Sequence, residues 1–255
     1  MARFFRKFRL NSVSKNKIGK YLIYAVGEII LVVIGILIAV SINNSQERSI
    51  LEAKEQAYLK GLKGEFETSK RKLIKLIEVN KQNYEGAKKI LKYTNNPTDS
   101  LSEKDFSELL FHSFSYDIYF NANTSLLNEM INSGSLKDIS NNTLRKLLTN
   151  WEAILKDISK QEKELGAQRN RVLDMFRTDQ NSIKTIFQLS STATSETNFL
   201  KKENYISNLN LLKSVAFENN ILMFYLVSHA TSEVHYQPLL KELNLILELI
   251  TTEIH

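Results

Sequence analysis

Residues 21–42 read YLIYAVGEIILVVIGILIAVSI, 22 residues with a single charge, Glu28. At about 1.5 Å rise per residue, a helix of this length covers roughly 33 Å, enough for a ~30 Å hydrocarbon core. Buried helices of soluble proteins seldom stay apolar on every face for so long. The hydrophobic core of a cleavable signal runs to about 7–15 residues, and this run is longer and carries an acid. The stretch therefore predicts an uncleaved transmembrane helix over 21–43.

The flanks set its orientation. Residues 1–20 hold seven cations (Arg3, Arg6, Lys7, Arg9, Lys15, Lys17, Lys20) and no acid. The whole chain carries +6, so the other 235 residues sum to −1. The positive-inside rule keeps such a tail in the cytoplasm and exports residues 44–255. In a Gram-negative bacterium this predicts an inner-membrane protein with a periplasmic C-terminal domain. About 20 residues then face the cytoplasm, too few for a folded output domain. Because the basic charge sits in the tail, a nucleic-acid partner is not expected.

In the tail, Phe4, Phe5 and Phe8 share one side of a helix, with Arg3, Arg6, Lys7 and Arg9 around them. Such a segment lies well in the headgroup layer of an anionic leaflet, making the lipid bilayer its expected partner. Glu28 lies roughly 10 Å into the span at helical rise, where an ionised carboxylate is costly. Tyr24, one turn earlier, can offer it a hydroxyl. Gly27, Gly35 and Ala39 lie beside it, and small residues at such spacings let two helices approach closely. These five residues are the candidates for a contact with a partner helix or a second copy. The alternative is an acid tolerated near the interface.

The remainder predicts an all-α domain. Gly and Pro are scarce (8 and 2), and there is no Cys, which argues against many-turned β folds, disulfides and thiol chemistry. A first long helix, from about Gln46 to Tyr93, carries Leu59, Leu62, Phe66, Leu73, Leu76, Tyr84, Ala87 and Leu91, with Ser69 and Asn80 as polar interruptions. No strong breaker separates it from the membrane helix, and Asn95-Asn96-Pro97 ends it. Ser102 with Asp105 predicts a capped short helix. A loop over 113–123 and a short helix from Thr124 or Ser125 to Gly134 follow. A second long helix begins after Asn141-Asn142-Thr143 and carries a stripe from Leu144 through Trp151 to Ile183. Glu162, Arg169 and Asp179 stand in that stripe, which predicts partial exposure. Residues 190–198 read as a loop. A third long helix is expected from about Tyr205 to the end, kinked or interrupted at Pro238. Three long helices and several short ones pack most simply as an antiparallel bundle.

The opening RFFRKFRL…NKIGKYLIYAVGEIILVVIGILIAVSINN and the segment INSGSLKDISNNTLRKLLTNWEAILKDI resemble an uncharacterised, domain-of-unknown-function family of single-pass bacterial membrane proteins. The resemblance extends over roughly the whole chain, most specifically at its start. Asn44 stands where the family pattern has Trp. The resemblance implies the architecture above and no activity.

Chemistry-bearing patterns are sparse. His229 and Glu233 share a helix face near His235, but no HExxH pattern, phosphate loop or nucleophile elbow occurs, and metal sites need three or four ligands. Neither an enzyme nor a cofactor is expected. The leading reading is a membrane-held scaffold or protein-binding module. The alternatives are a sensor that signals laterally through Glu28 and an accessory subunit of a membrane complex.

Overall fold

The computed structural model describes residues 17–95, 101–190 and 204–255. The basic tail with Arg3, Phe4, Phe5, Arg6, Lys7, Phe8 and Arg9, and most of the expected 190–198 loop, lie outside the described residues. The fold is all-α, with no strand among those residues. The chain divides into two units, Met1–Glu55 and Gln56–His255.

Helix α1, Lys17–Asn95, enters both units. In the first unit its apolar residues from Tyr21 to Ile42 are all exposed. Among the described residues it is the one helix long and apolar enough to cross a membrane.

The second unit is a helical bundle. Helices α2 (Glu103–Phe114) and α3 (Ser125–Ser133) follow α1, then a 3₁₀ turn over Ser135–Asp138. Next come α4 (Asn142–Asp174), α5 (Ile183–Leu189) and a 3₁₀ turn over Leu209–Lys213. Helix α6 (Val215–Ala230), a π-helical turn (Thr231–Tyr236) and α7 (Gln237–Glu253) form one last rod.

Hydrogen bonds establish the directions. Gln56 Nε2 donates to the Glu253 carbonyl at 2.7 Å, and Asn80 Nδ2 to the Ser228 carbonyl at 2.9 Å. As α1 advances from 56 to 80, the last rod retreats from 253 to 228, so the two are antiparallel. Asn141 Nδ2 bonds Glu253, and Gln161 Nε2 bonds Thr231. Helix α4 is therefore also antiparallel to the last rod and parallel to α1 within this unit. The α2–α3 segment makes that parallel arrangement achievable, because it returns the chain to the Gln56 end before α4 begins.

Local chemistry explains several boundaries. Ser102 Oγ accepts the Asp105 N–H and caps α2 as its sequence predicts. Thr124 makes no side-chain cap on α3. Instead Glu65, from α1, accepts the Leu126 and Leu127 N–H groups at 2.7 and 3.3 Å, placing a carboxylate at the helix N-terminus. Gly134 ends α3 at φ 72°, a left-handed conformation available to glycine at little cost. At Gly86 a Cβ would collide with Ser113 Oγ, so the missing side chain lets α2 lie close on α1.

The core joins Phe66, Trp151, Phe106, Phe176, Phe217 and Phe224, all buried. Trp151 packs on Phe66 with ring centroids 5.1 Å apart, a core position as expected from its stripe. In the 115–124 loop, Ile118 and Phe120 turn inward while Tyr116 and Tyr119 are exposed.

Two sequence expectations are corrected. The second long helix stops at Asp174 rather than near Ile183. Phe176 stays buried as the chain turns, and the Ile183 N–H returns to the Phe176 carbonyl at 3.3 Å, so two elements share the periodicity assigned to one. The third begins at Val215, not Tyr205. Residues 204–208 are irregular and pinned by polar contacts. Glu103 accepts the Asn208 N–H, and the Asn208 amide bonds both the N–H and the carbonyl of Ser182. Pro238 interrupts the last rod as expected: regular α-helix gives way to a π-helical turn over Thr231–Tyr236 and resumes at Gln237, with Pro238 in the first turn of the resumed helix.

Candidate functional site

In the first unit, α1 places Tyr24, Gly27, Glu28, Gly35 and Ala39 on one side. At 100° per residue they fall within a sector of roughly 120°. All five are exposed. A Cβ added at Gly27 or Gly35 would meet nothing within 4 Å. The face thus combines one ionisable group with small residues and is uncovered by the described chain.

The second unit holds a buried polar centre that the sequence reading misjudged. Glu162 is not on a partly exposed stretch of helix; it is 4% exposed. Its Oε1 accepts the Tyr236 hydroxyl at 2.7 Å and the Phe120 N–H at 2.9 Å. Its Oε2 is buried without a hydrogen-bond partner among the described residues. Burial raises the Glu162 pKa above the ordinary carboxylate value, the two hydrogen bonds oppose the rise, and the Asp117 charge adds to it. Burial and the neighbouring Glu162 likewise push the Tyr236 hydroxyl well up, so it stays a donor. Ile158 and Leu165, buried on either side, are the sequence sign that Glu162 would be enclosed. Its partners, 42 and 74 residues away, carry no such sign.

Asn80 and Ser228, both 0% exposed, are joined reciprocally: the Ser228 hydroxyl donates to Asn80 Oδ1 at 2.6 Å and the Asn80 amide returns a bond to the Ser228 carbonyl. The polar interruption in the first stripe is therefore matched across the core. These contacts join helices and fix register; they bring no nucleophile to a base.

Arg169, the second polar member of the α4 stripe, is half-buried, and its Nε donates to the Phe114 carbonyl at 2.8 Å. It borders a cavity of about 210 Å³ between α2, α4 and α5. Asp179, the third, is exposed. His229 is a neighbour of aromatic rings, 5.2 Å from Tyr84 and 5.9 Å from Tyr225 between centroids. No cluster of three or more metal-ligating side chains occurs among the described residues.

An exposed apolar helix and a helical bundle with buried polar clasps define a class, an all-helical protein with one apolar N-terminal helix. The chain belongs to the family of unknown function DUF6090, whose profile matches residues 28–155. The match begins at Glu28 and ends within α4, before Glu162 and Arg169. No curated protein and no solved structure matches the chain.

Proposed function

We propose that the protein is a single-pass, membrane-anchored scaffold or protein-binding module. The helix over 21–42 is its anchor and the bundle is its working part. The observation that carries this reading is the uncovered apolar surface from Tyr21 to Ile42. Exposing so many large apolar side chains to water is unfavourable by about 25 cal/mol per Å², and a bilayer removes that cost. The cation bias before Tyr21 supports a cytoplasmic N-terminus and a bundle in the periplasm, with the inner membrane as its location. Exposed Tyr116 and Tyr119 support protein contact, because tyrosine is enriched where proteins meet.

The face with Tyr24, Gly27, Glu28, Gly35 and Ala39 favours a second reading. There the protein associates laterally, with a copy of itself or with another membrane subunit, and transmits or completes that subunit's activity. A mild-detergent pull-down through a tag at the C-terminus tests both. Reproducible soluble partners support the first reading and a reproducible transmembrane partner the second. Recovery of the protein from the soluble fraction, without membranes, would overturn the anchor itself.

A further inference from the structure

The cavity between α2, α4 and α5 has a composition that the bundle core alone does not require. Phe111, Phe114, Phe176 and Phe187 line it together with aliphatic side chains. Phe187 is 40% exposed and meets Phe111 edge-on at 5.7 Å. Two guanidinium groups, Arg169 and Arg177, share this apolar wall. Arg177 is held at the surface by Asp174 at 2.6 Å. Arg169 spends its Nε on the Phe114 carbonyl, and its two Nη groups make no hydrogen bond among the described residues.

We propose that this cavity binds a small amphiphilic monocarboxylate, an alkyl chain of fatty-acid type, with the chain among the phenylalanines and the carboxylate on Arg169 and Arg177. Charge complementarity selects the head: beside an apolar slot Arg169 keeps its two Nη groups unspent among the described residues, Arg177 is shared with Asp174, and a planar guanidinium matches a carboxylate. Burial lowers the Arg169 pKa, the Asp117 charge opposes that and Arg177 adds to it, so an anion arriving there meets a partly desolvated cation. Size limits the tail. A volume of about 210 Å³ lies below the roughly 300–1,000 Å³ common for drug-sized ligands, which fits one short chain rather than a two-chain lipid.

Photo-crosslinking of the full chain in lipid nanodiscs tests this. The probes are an eight-carbon carboxylate bearing a diazirine and the matching neutral alcohol. Peptides containing Phe111, Phe176 or Phe187 should be labelled at least about tenfold more by the acid than by the alcohol, the scale of one charge-assisted hydrogen bond. Peptides of residues 21–42 serve as the reference for lipid partitioning. Arg169→Gln should lower acid labelling by a similar factor and leave alcohol labelling intact, with Arg169→Lys retaining most of it. Arg177→Gln, at an exposed position, gives the same readout without disturbing the core. Equal labelling by the two probes, absence of label from the cavity peptides, or indifference to both Gln substitutions would overturn the proposal.

Discussion

The Tyr236 hydroxyl donates to Glu162 Oε1 at 2.7 Å, joining the end of the π turn to the middle of α4 inside the bundle. The same oxygen holds the Phe120 N–H, so one carboxyl group ties three segments together. Its second oxygen has no hydrogen-bond partner among the described residues, and that leaves a cost in the charged form.

That cost predicts a pH dependence. Burial raises the folded-state pKa of Glu162 above its unfolded value, so the folded state binds the proton more tightly. The group's favourable contribution is complete below the unfolded pKa, about 4.3, and is lost as pH rises through the folded value. Glu162→Gln keeps an acceptor for Tyr236 and Phe120 but cannot ionise. Its thermal midpoint should gain on the wild type as pH is raised from about 4 to 8. A difference that stays flat across this range would contradict the assignment.

Ser228→Ala should destabilise the bundle by about 1–3 kcal/mol, because it leaves Asn80 Oδ1 buried without its donor. Asn80→Leu should also cost stability, by removing the amide that serves the Ser228 hydroxyl and carbonyl. The double variant should cost less than the sum, since the partners then disappear together. Urea titration of the four proteins gives the coupling, and strict additivity would show that the pair does not act as a unit.

A fragment of residues 44–255 should be soluble and mainly helical. Its core residues, from Leu59 to Ile250, lie within the second unit and pack against one another. Circular dichroism showing coil or substantial strand would refute this.

The seven-to-zero cation bias ahead of Tyr21 predicts that His255 is periplasmic. A fusion of alkaline phosphatase there should be active, and a fluorescent protein that matures only in the cytoplasm should stay dark. The reverse pair of results would invert the topology.

Glu28→Gln separates a working membrane helix from a passive one. The substitution keeps size and hydrogen-bonding capacity while removing the ionisable proton. If Glu28 meets a cation on a partner helix, co-purification should fall with expression and topology unchanged, because breaking a well-buried pair costs on the order of several kcal/mol. Undiminished complex formation would end the lateral-association reading.

The apolar run at 21–42, the Ser102 cap, the stop at Gly134 and the stripes through Leu59 and Leu144 were legible in the sequence because each depends on near neighbours along the chain. Helical period, capping chemistry and glycine's freedom at positive φ act within a few residues. Tertiary structure decided the rest. Glu65 caps a helix some 60 residues away, Asn80 meets Ser228, and Glu162 is enclosed rather than exposed. The Leu144–Ile183 stripe is divided between two elements, and the interruption before Pro238 takes the form of a π turn. Arg169 and the phenylalanines of its cavity come from three helices and the turn after α4. A polar residue within an apolar stripe is read alike whether it faces water or a distant donor; only the packing of α1, α4 and the last rod supplies the donor.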